Sequence, residues 1–347
     1  MERYKEKIDL ETQQKTIRVL FRIAGGKAVK KELGMGHVFR SMSLASEFKK
    51  NNVFFLVEDY GGVKKILLEN GFKNIIYLRK GIKSKEDVEK TCLVLKRKKI
   101  DVLIIDKYGL KDHYPSNMKK YVKTIVISDL KNITYHADLL VNGFIGYENE
   151  IRKNKFGTKC LLGPKYQIIN KKFTKMRKNF KRENDFLATF GGFDELNIAG
   201  ILLRAIMNTK KPLKTKLILG PTSLKKNYEK EIKQNKKFIE IMSYTNNMFY
   251  EMQKTKFGIC SGGITTYEFA ALRIPMIIIC QNKHQTITAK KWEEKNMAIN
   301  LGIATSQTYK KIIDVLDKMS TRKFNKKKLI DGLATKRVTN EILNRLK

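Results

Sequence analysis

The sequence predicts an α/β protein made of two Rossmann-like domains with a cleft between them. Three observations lead there. The chain has 347 residues, too many for one ordinary core and about right for two. Short, near-continuously apolar runs alternate with helical patterns, as parallel strands covered on both faces require. The alternation breaks once, at the basic stretch INKKFTKMRKNFKREN (169–184), and then restarts.

In order, TIRVLFRI (16–23) reads as a strand, followed by a glycine-containing loop and a helix over 38–50. VFFLV (53–57), a helix over 62–69, NIIYL (74–78), a helix over 85–98 and DVLIID (101–106) continue the pattern. TIVIS (124–128) and DLLVN (138–142) complete the first half. After the break come DFLATF (185–190), a helix over 195–208, KLILG (216–220), a helix over 224–234 and FIEIM (238–242). A short helix over 246–254, FGIC (257–260), a helix over 264–272, PMIII (275–279) and helices over 285–296 and 308–319 follow. The expected domains are 16–168 and 185–330, with 331–347 a basic C-terminal helix or tail.

Composition narrows the class. With 42% hydrophobic and 10% aromatic residues, the chain can fill two cores, which excludes a disordered protein. No apolar run reaches the roughly 18–20 residues of a membrane span, and the polar N-terminus lacks a secretory h-region, so a cytoplasmic protein is expected. Lys and Arg total 72 against 34 acidic residues, a formal charge of +38. Such a balance raises nucleic acid as a partner. The lysines are spread along the whole chain, however, and no RNP, helix-turn-helix or finger pattern is present, so no nucleic acid is expected. A solvated lysine surface is the favoured account, and the field also suits an anionic substrate. Cys92, Cys160, Cys260 and Cys280 are far apart, with no zinc spacing, so neither metal nor disulfide is expected.

In sheets of this kind ligands bind beyond the carboxyl ends of the strands. Three loops there carry unusual residues. Gly34-Met35-Gly36-His37-Val38-Phe39-Arg40 leads into the first helix and places His37 at its start, either as a general base or as a mere helix cap. Gly36 and Arg40 join it as substrate-side candidates. Phe190-Gly191-Gly192-Phe193-Asp194 reads equally as a phosphate cradle, through Gly191 and Gly192, or as an ordinary tight turn. In Ser261-Gly262-Gly263-Ile264-Thr265-Thr266-Tyr267-Glu268, free N–H groups and the Ser261, Thr265 and Thr266 hydroxyls read as a diphosphate seat, ahead of the plainer reading of a capped helix with a solvated Glu268. Glu268, five residues after Gly263, is placed to accept hydrogen bonds from two ribose hydroxyls. Asn282 and Gln285, in Gln281-Asn282-Lys283-His284-Gln285, read as further polar contacts or as an ordinary loop.

SGGITTYEFAALRIPMIII with QNKHQ resembles the nucleotide-binding stretch of MurG-like glycosyltransferases of GT-B fold. GMGHVFRSMSLA, DKYGL (106–110), ISDL (127–130) and HADLLVN (136–142) look like the PseG family. Its members are UDP-2,4-diacetamido-2,4,6-trideoxy-β-L-altropyranose hydrolases of pseudaminic acid biosynthesis. The spore-coat SpsG proteins are similar. CLLGPKYQIINKKF (160–173) and FLATFGGFD (186–194) extend the likeness, which covers roughly residues 17 to 300. The lysine-rich Ala24–Gly34 loop and Ser128-Asp129 depart from the family pattern.

The resemblance implies UDP on the second domain, with Gly262, Gly263 and Thr265 at the diphosphate and Glu268 at the ribose. His37 would activate water for attack at C1 with inversion, without metal or cofactor, and Tyr108 would help orient sugar or water. A GT-B glycosyltransferase, with a weak membrane-surface association if its acceptor is membrane-linked, is the alternative expectation.

Overall fold

A computed structural model describes residues 17–26, 34–130, 132–147, 152–174, 181–220, 228, 237–245, 247–325 and 327–346. The chain divides into two units, Met1–Lys171 with Gly332–Lys347, and Lys172–Asp331.

The first unit holds strands β1 (Val19–Gly26), β2 (Val53–Tyr60), β3 (Ile75–Leu78), β4 (Val102–Asp106), β5 (Lys123–Ile127), β6 (Leu139–Asn142) and β7 (Lys159–Leu162). Its helices are α1 (Gly36–Ala45), α2 (Val63–Glu69), α3 (Ser84–Lys98) and α4 (His113–Met118). The strands are ordered β3-β2-β1-β4-β5-β6-β7, all parallel. Alternate residues of β1 serve opposite faces, as the two-residue period of a strand demands. Val19, Phe21 and Ile23 enter the core that Val38 and Met42 of α1 close, while Leu20 enters the core containing Leu95 of α3 and Tyr114 of α4.

The second unit holds β8 (Asn184–Thr189), β9 (Thr215–Ile218), β10 (Ile239–Met242), β11 (Thr255–Cys260), β12 (Met276–Cys280) and β13 (Ala298–Ile303). They are ordered β10-β9-β8-β11-β12-β13, again all parallel. Its helices are α5 (Ile198–Met207), α6 (Met248–Gln253), α7 (Thr265–Ala271), α8 (Lys283–Glu294) and α9 (Thr308–Lys318). Helix α7 lies so close to β11 that a Cβ on Gly258 would stand 2.6 Å from the Phe269 ring. A last helix, α10 (Ala334–Asn344), returns to the first unit. There Ala334, Val338 and Ile342, spaced four apart, enter the same core as Phe21, and Glu341 pairs with Lys159 at 2.7 Å.

Several elements differ from the sequence reading. β1 begins three residues later and runs through Gly25 and Gly26, because pairing with β2 continues past the apolar run. Helix α1 stops at Ala45, short of residue 50. Three elements, α4, β7 and β13, were not anticipated. The expected helix over 224–234 lies outside the described residues apart from Tyr228.

In both sheets the strand order reverses direction once, beside β1 and β4 in the first unit and beside β8 and β11 in the second. Such a reversal opens a crevice at the carboxyl ends of the two strands, the place where open α/β sheets bind ligands.

Candidate active site

In the first unit that place is occupied by charge. His37 is the second residue of α1, Asp106 the last of β4, and Asp129 follows β5. His37 Nδ1 lies 2.6 Å from Asp106 Oδ1. Arg40, one helical turn beyond His37, donates from Nε and Nη2 to the two oxygens of Asp106 at 2.9 and 2.6 Å, and from Nη1 to Asp129 at 2.6 Å. Ser41 donates a further bond to Asp106 at 3.1 Å.

Asp106 is fully buried. Burial raises its pKa, but the Arg40 and His37 charges and their hydrogen bonds outweigh burial and hold it below the ordinary carboxylate range. An ionised carboxylate only accepts, so the proton between Asp106 and His37 belongs to Nδ1. The neutral imidazole then carries its lone pair on Nε2. For His37 itself, burial works downward, yet the Asp106 charge and hydrogen bond, with Asp129, lift the pKa above the ordinary histidine value against the opposition of Arg40. Tyr108 lies two residues beyond Asp106 with 43% of its surface exposed, and Gly36 is half-buried at the start of α1. Arg40 belongs to the cluster as the clamp on two carboxylates, a use of its donors that the sequence reading, which set it toward substrate, did not foresee.

In the second unit three loops meet at the ends of β8, β11 and β12, laced by one side chain. Gln281 Nε2 donates to the carbonyl of Phe190 and to Ser261 Oγ, both at 2.9 Å, and its Oε1 accepts from the N–H of Glu195. Gln285 Oε1 accepts from the N–H groups of Gln281 (2.9 Å) and Gly262 (3.3 Å). Gly262 must be bare here, since a Cβ would stand 2.6 Å from the Gln285 carbonyl oxygen. Asn282 caps α8 by accepting from the N–H of Gln285. Asn282 and Gln285 therefore spend these acceptors on shaping the loop, as the second of the two readings open to them in the sequence has it.

Thr266 departs from the diphosphate contact expected of it. It is fully buried, its hydroxyl donating to the Gly263 carbonyl and accepting from the Trp292 indole, so it anchors the turn from behind. Ser261 is buried too and receives Gln281. Gly191 (φ +78°), Gly192 and Gly263 remain at least partly open, as does Thr265 at the start of α7.

Glu268 differs from all of these. Its carboxyl has no hydrogen-bond or ion-pair partner among the described residues, and burial pushes it up to about 8. Part of its side chain still reaches solvent. A half-buried carboxyl without a donor is costly to ionise and ready to accept one.

Sequence reasoning placed His37, Gly262 and Gly263 in the loops beyond strand ends and Glu268 in the helix that follows, and overlooked the part of Asp106, Asp129, Ser41 and Gln281. The available signal for Asp106 was a charged residue closing an otherwise apolar strand. Among the described residues no group of three or more His, Cys, Asp or Glu is placed to hold a metal ion, and no helix is long and apolar enough to cross a membrane.

Two parallel α/β sheets of seven and six strands define a GT-B fold. The crystal structure of Acinetobacter baumannii MurG shares it with a TM-score of 0.59 at 13% identity, over 95% of this chain and 99% of that one. Residues 189–341 match the glycosyltransferase family 28 C-terminal domain. More particularly, the chain is 26% identical over 292 residues to the spore coat polysaccharide biosynthesis protein SpsG of Bacillus subtilis, covering 78% of this chain and 81% of SpsG. It is 34% identical over 277 residues to the uncharacterized protein MJ1062 of Methanocaldococcus jannaschii. That match takes in 73% of this chain but only 54% of MJ1062, so the chain spans about half the length of that relative.

Proposed function

We propose that this protein hydrolyses a UDP-sugar, a UDP-diacetamido-trideoxyhexose of the kind used in nonulosonic acid synthesis, releasing UDP by attack of water at C1. The observation that carries the reading is the 2.6 Å pairing of His37 Nδ1 with a buried, ionised Asp106. It fixes the tautomer that leaves Nε2 as the base, the arrangement by which a carboxylate orients a catalytic imidazole. A water proton passes to Nε2 as the water oxygen bonds to C1, and the C1–O bond breaks with its electron pair leaving on UDP. Attack from the face opposite UDP inverts C1.

Tyr108 orients the sugar or the water. The Ser261–Thr265 turn, its N–H groups held in shape by Gln281 and Gln285, receives the diphosphate and stabilises charge on the departing UDP. The unpartnered carboxylate of Glu268 accepts the ribose hydroxyls. The protein needs no cofactor in this scheme, acts in the cytoplasm, and does not engage nucleic acid.

A glycosyltransferase reading has its own support in the family 28 match over residues 189–341 and in the similarity to SpsG. It uses the same nucleotide seat and base, with a sugar or lipid hydroxyl in place of water. The deciding experiment is UDP release from a panel of UDP-sugars without acceptor. Multiple turnovers that collapse in His37→Ala support the hydrolase. UDP binding that weakens in Glu268→Ala, with no release unless an acceptor is added, moves the assignment to transferase.

A further inference from the structure

The first unit contains a second ionic cluster that the proposed chemistry does not use. Arg22, in the middle of β1, is fully buried and donates to Asp87 of α3 at 2.9 and 2.7 Å and to Glu58 of β2 at 2.9 Å. Tyr114 of α4 bonds Asp87, and Tyr60 bonds Glu58. Into this cluster reaches Lys107, 3.0 Å from Asp87 and 3.6 Å from Glu58. Burial of two cation–anion pairs is a weak source of stability, because desolvation offsets the attraction. The placement of Lys107 gives the cluster another use. Successive residues of a strand point to opposite faces. Asp106 is clamped by Arg40 on the α1 face, and Lys107, the next residue, is clamped by Asp87 on the α3 face. Tyr108 follows directly.

We propose that Lys107 is a positioning residue: its tie to Asp87 and Glu58 pins the end of β4 from behind and so fixes the Asp106 carboxylate against His37. The proposal gives the site a support and rests on the reading of His37 as the base, but its test does not depend on turnover.

The test compares Lys107→Met, Lys107→Gln and Lys107→Arg with the unaltered chain. In the two neutral variants Arg22 keeps both carboxylates partnered, so the fold is retained, as a melting curve checks. The readout is the His37 imidazole titration by NMR, its resonance assigned by its loss in His37→Gln. The groups facing that imidazole are Asp106 from β4, Asp129 after β5 and Arg40 from α1.

If the tie positions Asp106, both neutral variants move the His37 pKa down toward the ordinary histidine value, and Lys107→Arg restores it. Loss of a nearby positive charge alone would move it up. An unchanged or raised His37 pKa in a folded neutral variant overturns the proposal. With substrate, kcat falls about 10- to 100-fold in the neutral variants while KM holds within about twofold. A lowered His37 pKa in a protein that releases no UDP from any donor would keep the positioning role and remove the hydrolase reading instead.

Discussion

Binding of a nucleoside diphosphate should be linked to a proton through Glu268. The carboxyl titrates near 8 because burial penalises its ionised form and no donor compensates. Two ribose hydroxyls would supply that compensation, and they bind the ionised form. Below about pH 8 the free protein must therefore lose a proton to bind, and the apparent affinity falls about tenfold for each pH unit, since one unit corresponds to about 1.4 kcal/mol. Between pH 8, where the carboxyl is half ionised, and pH 6 the affinity for UDP drops about 50-fold, and about 100-fold from the plateau above pH 8. Above pH 8 it levels off.

Calorimetry across this range, in buffers of different ionisation enthalpy, reads both the slope and the proton count, close to one released per UDP at pH 6 and near zero at pH 9. Glu268→Gln loses the slope together with much of the affinity. Stability carries the opposite sign. A raised folded-state pKa favours the folded form below the unfolded value of about 4.5, and that stability is lost as pH rises through about 8. Glu268→Gln should thus raise the stability at pH 9 by about 2–4 kcal/mol, reduced from the full displacement because part of the side chain reaches solvent. A flat affinity profile in the unaltered protein, with no proton released, would refute the reasoning.

Other substitutions separate the remaining roles. Asp106→Asn removes the charge that lifts the His37 pKa, so the acid limb of the rate profile moves to lower pH while kcat falls about 10²- to 10⁴-fold, with UDP affinity by calorimetry unchanged. Gly262→Ala drives a Cβ to within 2.6 Å of the Gln285 carbonyl oxygen and should weaken UDP binding at least about tenfold, with thermal stability lowered by about 1–3 kcal/mol. Thr266→Val leaves the buried Trp292 N–H without an acceptor and costs about 1–3 kcal/mol in denaturant unfolding, with only a modest effect on UDP affinity.

The fold was legible in the sequence where strands are covered on both sides. β4 and β12 read as nearly unbroken apolar runs because neighbours flank them on both sides and every residue of each is buried. β7 and β13 were illegible for the converse reason. Each sits at a sheet edge with one strand neighbour, apart from an isolated antiparallel bridge between Lys153 and Lys159 of β7, and KCLL is too short, and AINLGI too broken by Asn300 and Gly302, to stand out. Arg22 escaped notice because a charge within an apolar run reads as a solvent-facing position, whereas Asp87 and Glu58, far away in sequence, make it a core residue.

The same distance hid the carboxylate cluster. His37 lies in a recognisable glycine loop, but its union with Asp106 and Asp129 depends on the register of β1, β4 and β5, which local pattern does not carry. The hydroxyl of Thr266 pointed the wrong way for a similar reason. Helical position was legible, but which face meets Trp292 was decided by α8.

Helix α10 has a consequence for the order in which this protein is made. The core under α1 draws Ala334, Val338 and Ile342 from the far end of the chain, while Lys172–Asp331 forms a unit of its own in between. On the ribosome, the second unit has all its strands before the first has its last helix. Domains generally fold as units in the order they emerge. Here the N-terminal sheet must wait, with one apolar flank uncovered, until some 160 intervening residues have been synthesised. That interval is a window for chaperone capture or misassembly, and a nascent chain that has emerged from the ribosome only as far as residue 331 should present a finished second unit and an unfinished first.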